Sequence, residues 1–146
     1  MGRNVQIYSF VNLYGCTIGD DTSIGTFVEI QDDAAIGKGC KISSHTFICT
    51  GVTIGHGCFI GHGVVFINDN YPRSLNDRGE REGPEDWSDR YVPTTVGDNV
   101  SIGSNATILG GITIGDAALI GAGAVVTKDV PGGTTAVGNP ARLIGS

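Results

Sequence analysis

The sequence predicts an all-β fold, a parallel β-helix wound from six-residue repeats, on three observations. Large apolar residues recur every six positions at Ile18, Ile24, Ile30, Ile36, Ile42, Ile48, Ile54, Ile60 and Phe66, and resume in the same register at Val96, Ile102, Ile108, Ile114, Ile120 and Val126. A second column of small or β-branched residues follows each hit by four positions, from Thr22, Val28 and Ala34 through Cys40 and Cys58 to Ala124 and Val130. Glycine supplies 24 of 146 residues and clusters directly after the apolar hits, as at Gly19, Gly37, Gly61 and Gly103. A short period held this long marks a solenoid. An α-helix would need apolar positions three and four apart.

The two columns dictate the local geometry. Residues two apart on a strand face the same way, so Ala34 and Ile36 point inward and the residue between them points out. The next three residues turn the chain, and the glycine after each hit suits a corner with unusual backbone angles. Three strands and three corners close one coil of a triangular prism.

Taken in order, residues 4–17 read as an imperfect first coil, with Asn12 in a large-column slot and Phe10 and Cys16 in the small column. Residues 18–67 make nearly three regular coils. The repeat then breaks at 68–93, a stretch holding the only Trp, Trp87, with four arginines and seven acids. Val96 returns in register, so the prism continues after the excursion. Loops this long in compact domains are usually functional, and Trp87 and Tyr91 argue that part of this one packs. Residues 94–131 add about two coils. Residues 132–146 are read as an extension that leaves the repeat, with Gly132, Gly133 and Pro140 as breakers. The whole of 1–146 reads as one domain.

Composition bounds the function. A net charge of −6 gives no electrostatic footprint for nucleic acid or an anionic membrane. No apolar run approaches the ~20 residues of a membrane span. No secretory apolar core follows Met1–Asn4, and the four cysteines form no CxxC pair. Cys16, Cys40 and Cys58 fall in the small column and Cys49 beside a large-column isoleucine, which fits reduced core residues of a cytoplasmic protein.

The repeats resemble the hexapeptide-repeat acyltransferases. The ending, Ile120-Gly-Ala-Gly-Ala-Val-Val-Thr-Lys-Asp-Val-Pro131 with Gly138-Asn-Pro-Ala-Arg142, is similar to that family's. The resemblance implies a left-handed helix, where crossover rules alone favour the right hand. It also implies a homotrimer that takes an acyl group from acetyl-CoA, with no metal. Val11–Cys16, Phe27–Gln31, Lys41–Ile48 and Gly61–Asp69 together resemble the nucleotide-sugar 3-N-acetyltransferases of surface-polysaccharide (O-antigen) synthesis, which implies a nucleotide-linked amino sugar as acceptor.

Acyl transfer from a thioester needs a neutral nucleophile, a route for its proton and donors for the oxyanion. His45, His56 and His62 are the histidines that could serve as base, and all three fall at corners. The O-acetyl branch of the family has its histidine directly before a proline at the start of the loop, where this chain has Tyr71. That departure favours an amine acceptor, whose neutral form is already nucleophilic. The resemblance places Asn68 against the amine. The candidate catalytic residues are thus Asn68, His45 and His62, and the candidate substrate contacts are Asp69, Tyr71, Arg73 and Glu29. For coenzyme A the matching positions are Ser104, Ala122, Thr127, Lys128 and Arg142, with Ser104 and Ala122 one coil apart.

Two other classes use such a solenoid. A zinc site of the γ-carbonic-anhydrase type needs three convergent histidines, and the 45–56–62 spacing disperses them in one chain. A non-catalytic ice-binding face needs a regular outward threonine array, and none is read from the repeats.

Overall fold

The structure, a computed structural model, describes residues 1–145. It is a left-handed parallel β-helix of strands two or three residues long, arranged as three sheets. The first face holds Gln6–Ile7, Ser23–Ile24, Lys41–Ile42, Phe59–Ile60, Ser101–Ile102 and Leu119–Ile120; the second holds Asn12–Leu13, Glu29–Ile30, Phe47–Ile48, Val65–Phe66, Thr107–Ile108 and Val125–Val126; the third holds Thr17–Ile18, Ala35–Ile36, Val52–Ile54, Thr94–Val96 and Thr113–Ile114. Every large-column residue from Ile18 to Val126 is at most 2% exposed, so the six-residue column is the core. Two small-column threonines satisfy their buried hydroxyls between coils: Thr22 donates to the Gly37 carbonyl and Thr46 to the Gly61 carbonyl, each at 2.8 Å.

Successive corners stack into three edges. We call these the first edge (first to second face), the second edge (second to third) and the third edge (third to first). The glycine after the apolar hit is required, for a reason other than the one expected. Its φ is ordinary. A Cβ on Gly19 would meet the Gly37 carbonyl carbon at 2.6 Å, and one on Gly61 the Ser104 nitrogen at 2.6 Å, so what it permits is close stacking of coils. The left-handed residue comes two positions later, as at Gly39 and Asn105. On the second edge the post-hit position holds Gln31, Cys49, Ile67 and Leu109 instead, and it is from this edge that the long loop leaves.

Four other expectations are corrected. In the first coil Leu13 pairs with Ile30 and Asn12 with Glu29. Leu13 therefore takes the large slot, and Phe10 is an exposed corner residue with φ 61. One residue is missing between Leu13 and Ile18, which shifts the register. In the last coil Val130 pairs with Ile114 and Ala136 with Ile120. Val130 thus stands in the large column, because that coil is two residues short. The extension rejoins the fold: Thr135–Val137 adds parallel to Leu119–Ile120, and Arg142–Ile144 folds back antiparallel on it. Finally, the outward residues of the third face are Thr17, Ala35, Thr53, Thr95 and Thr113, a threonine file one residue wide that shows only when every third repeat is read together.

Candidate active site

The long loop leaves at Asn68 and returns at Val92, whose N–H donates to the Asn68 carbonyl at 2.9 Å. Asn68 also donates its side-chain Nδ2 to the Thr50 carbonyl at 2.9 Å, which fixes the amide's orientation, uses one of its two N–H donors and leaves Oδ1 available to accept. Asn68 lines a cleft of about 360 Å³ between the loop and the second face, together with Gln31, Phe47, Cys49, Val65, Asp69, Pro72 and Tyr91. Burial pushes the Cys49 thiol up to about 11, so it stays protonated and inert there. Burial also raises the Tyr91 phenol.

A chain of hydrogen bonds ties Glu29 to this site. Gln31 donates Nε2 to Glu29 Oε2 at 3.1 Å and accepts the Thr50 N–H on Oε1 at 3.3 Å; Thr50 in turn accepts from Asn68. Glu29 and Asn68, far apart in sequence, are thereby linked through two intermediates.

Asn70 ties the start of the loop to the prism through Gly110, and the Asn76 side chain holds its first turn; one carboxylate then joins distant parts of the loop. Glu82, with its side chain 2% exposed, accepts Arg90 at 2.6 Å and Arg73 at 2.8 Å. Arg90 also donates to Asp69 at 3.0 Å. This joins the start of the loop, its first turn and the end of its helical stretch, Pro84–Trp87 and Ser88–Arg90. The Arg90 and Arg73 guanidinium groups hold the Glu82 carboxyl down to about 2. Arg73 is thus engaged within the loop, as is Asp69, which also accepts the Tyr71 N–H at 3.0 Å. The Tyr71 side chain is 84% exposed.

The histidines divide between two edges. His56 is on the third edge, its Nδ1 accepting the Lys38 N–H at 2.9 Å and its own N–H donating to Asp98. That makes it a rung in a ladder of corner side chains. His62 and His45 are on the first edge. His62 Nδ1 meets Ser44 Oγ at 2.9 Å, and the His62 N–H donates to Ser104 Oγ at 3.1 Å. Ser104 and Ala122 continue that line one and two coils further, as expected. Thr127 and Lys128 are on the second edge, where Lys128 and Arg142 line one cavity of about 250 Å³ at the C-terminal end. The candidate residues therefore form two sets. His45, His62, Ser104 and Ala122 share the first edge, and Asn68, Asp69, Thr127 and Lys128 the second. They are separated by the second face, ~16 Å across from His45 to Thr50 at ~3.3 Å per residue. No group of three His, Cys, Asp or Glu side chains among the described residues is placed to hold a metal, and no described helix is long and apolar enough to cross a membrane.

Sequence reasoning missed the cleft walls Phe47, Val65 and Tyr91. Phe47 and Val65 are outward residues one coil apart, readable only once the coil length is applied to the outward positions.

Comparison with known proteins follows the same lines. The bacterial transferase hexapeptide family (six repeats) matches residues 15–50 and 93–128, the two blocks flanking the loop. Serine acetyltransferase 3, mitochondrial, of Arabidopsis thaliana is 42% identical over 118 residues, covering 81% of this chain and 27% of its own length. The bifunctional protein GlmU of Kineococcus radiotolerans is 34% identical over 138 residues, covering 94% and 24%. The chain thus spans about a quarter of the length of these relatives. Among solved structures, AntD, an N-acyltransferase from Bacillus cereus in complex with dTDP and coenzyme A, superimposes with a TM-score of 0.81 at 19% identity, covering 98% of this chain and 80% of that one. The GDP-perosamine N-acetyltransferase of Caulobacter crescentus, bound to CoA and GDP-perosamine, gives 0.79 at 22%, covering 97% and 57%. At these identities the likeness is one of fold.

Proposed function

We propose, from the premise that this chain is a hexapeptide-repeat protein of the bacterial transferase type, that it transfers an acetyl group from acetyl-CoA to the 3-amino group of a nucleotide-linked amino sugar. The observation that carries the reading is Asn68, fixed through its amide nitrogen at the rim of a cleft with its oxygen left to accept. The relatives named as acetyltransferases, and the similar folds holding CoA with nucleotide sugars or dTDP, support it.

The chemistry asks little of the protein beyond positioning. The neutral amine attacks the thioester carbonyl, and the tetrahedral adduct expels the CoA thiolate. The proton shed by the amine passes to that thiolate or to water. Asn68 Oδ1 accepts a hydrogen bond from the amine and aims its lone pair. Ser104 and Ala122 seat the pantetheine arm along the first edge, and Lys128 and Arg142 meet the phosphates.

Those groups lie on two edges of one prism, so the reading includes a homotrimer in which the first edge of one copy faces the second edge of the next. Such a head-to-tail contact closes as a ring. The place of the reaction in surface-polysaccharide synthesis belongs to the same proposal.

One observation favours a second reading, O-acetylation of a small hydroxyl acceptor: the identity to serine acetyltransferases reaches 45% over 118 residues. The test is a panel of UDP- and dTDP-linked amino sugars, their hydroxyl counterparts and serine, with acetyl-CoA and thiol release as readout. Turnover confined to the amino sugars supports the first reading, and turnover on hydroxyls alone replaces it with the second.

A further inference from the structure

Three side chains on the first edge lie outside the prism core. The tip of each corner takes a left-handed backbone, and nearly everywhere the residue there is Gly, Asn or Asp, with Ala117 the one small exception. On the first edge the three tips of the C-terminal coils are Gly63, Asn105 and Gly123, but those of the three N-terminal coils are Phe10, Phe27 and His45, with φ of 61°, 61° and 65°. Phenylalanine is disfavoured in this region, whereas histidine is one of the side chains that visit it more readily. Strain of this kind persists where something other than the local fold selects it. The rings also lie outside the core. Phe10 is 77% and Phe27 53% exposed. They contact one another, with ring centroids 5.4 Å apart and planes 12° from parallel, and Phe27 contacts His45 at 5.1 Å. Together they form an exposed aromatic file in which Phe10 stacks on Phe27 and the His45 ring is tilted by 50° against it, leaving one face of Phe10 and the rims of all three rings open to a ligand.

Position along the edge indicates what the file receives. From the C-terminal end the first edge reads Ala122, Ser104, His62, His45, Phe27, Phe10. On the proposed reading, the acyl donor occupies the C-terminal part and the acetyl group reaches the level of His62. The acceptor must then approach from the N-terminal side, with its non-reacting end over the file. Ring edges carry partial positive charge and attract the π-face of another aromatic ring. The strip is one side chain wide and flanked at the same corners by Ser9, Thr26 and Ser44, a shape suited to a small planar group. The packed centre of a subunit contact wants a broad apolar surface, so on an edge that faces the next copy this narrow strip suits the cleft between subunits, where a ligand enters, rather than the contact itself.

We propose that the Phe10–Phe27–His45 file seats the nucleobase of the acceptor, so that the nucleotide serves as a recognition handle. The inference rests on the reading that the acceptor is nucleotide-linked.

The test is Phe27→Gly, a change the backbone angle tolerates. Binding of UDP and dTDP is measured by calorimetry in the presence of CoA. KM is compared for the nucleotide-linked amino sugar and the same amino sugar 1-phosphate. The expected result is about 10-fold weaker nucleotide binding and a matching rise in KM for the nucleotide-linked acceptor, the scale of one base–aromatic contact. The sugar phosphate, the KM for acetyl-CoA and the oligomer mass should be unaffected, and the melting temperature equal or higher. Unchanged nucleotide affinity, or no nucleotide binding by the wild type, overturns the proposal. A changed oligomer mass overturns it too and makes the file a subunit contact. If the wild type acetylates amino sugars with no advantage for the nucleotide-linked form, the seat is wrong while acyl transfer stands. If nucleotide binding depends on Phe27 in a protein that acetylates no amine, the seat stands and the proposed reaction falls.

Discussion

The prism and its loop are stabilised by opposite means. In the prism each coil repeats one statement: a large apolar residue inward, a small one beside it, and a corner. Ile24, Ile42, Ile60 and Ile102 are interchangeable rungs at 0–1% exposure. In the loop nothing repeats. Its shape depends on Glu82 holding Arg73 and Arg90, and on Arg90 holding Asp69. The difference teaches where each region is vulnerable. The prism spreads its stability over many equal contacts, so a lesion weakens it in proportion to the surface lost, whereas the charged ties that join distant parts of the loop converge on one carboxylate.

The strongest test of that contrast is a pair of substitutions. Ile60→Ala removes a fully buried side chain between two coils and should cost about 2–5 kcal/mol of global stability, read as a lower urea midpoint. Glu82→Ala leaves both guanidinium groups without their shared partner and should open the loop while the prism stands. The expected signature is a red-shifted Trp87 emission with a nearly unchanged urea midpoint. Activity should fall on the order of 10²-fold, the scale of a misplaced reacting group. If Glu82→Ala lowers the urea midpoint as far as Ile60→Ala does, the loop is part of the cooperative core and the contrast is wrong.

The same contrast explains what could be read from the sequence. The prism was legible because the six-residue column states its register fifteen times, and tertiary contacts follow from simple addition. Reading failed where the count slips: at Leu13 and Val130, where a coil loses one or two residues, and at the threonine file, which emerges only with the coil length in hand. The glycine column was seen but given the wrong reason, since coil-to-coil contact distance is not a sequence quantity. That part of the loop packs was legible from its aromatics. Which of its seven acids becomes the hub was not, because Glu82 differs from Glu80 and Glu85 only through the fold of the loop around it. Asn68 is singled out by resemblance alone, while its tie through Thr50 and Gln31 to Glu29 depends on stacking of the second edge.

A smaller effect sharpens the division between the two edges. Asn68→Ala on the second edge should lower the rate on an amino sugar by about 10²-fold without moving the acidic limb of the pH–rate profile. His45→Ala and His62→Ala on the first edge should each retain measurable turnover. An imidazole base would impose an acidic limb that its replacement removes. Should either histidine variant lose all activity with CoA binding and oligomer mass intact, that histidine is the base and the base-free mechanism is abandoned.

The smallest expected effect is an absence of response over most of the pH range. The Glu82 carboxyl is held down to about 2, first by its hydrogen bond to Arg90 and then by that to Arg73. In the opened loop the same carboxyl would ionise near ~4.3. A carboxylate whose pKa is depressed on ordering contributes fully above the higher value and loses its contribution as pH falls through the lower one. Trp87 emission should therefore stay flat from pH 7 to about 4.5, then shift progressively as pH falls towards 2. The far-UV signal of the prism should not follow it, since the buried residues of the prism include no Asp, Glu, His, Lys or Arg. Glu82→Gln separates this mechanism from general acid unfolding. The amide retains a hydrogen-bond acceptor but carries no charge to titrate, so the acid-dependent shift of Trp87 should disappear and a partly opened loop should persist at every pH. A shift of Trp87 in the wild type between pH 6 and 5, where Glu82 stays ionised in both loop states, would mean that some other titrating group orders the loop.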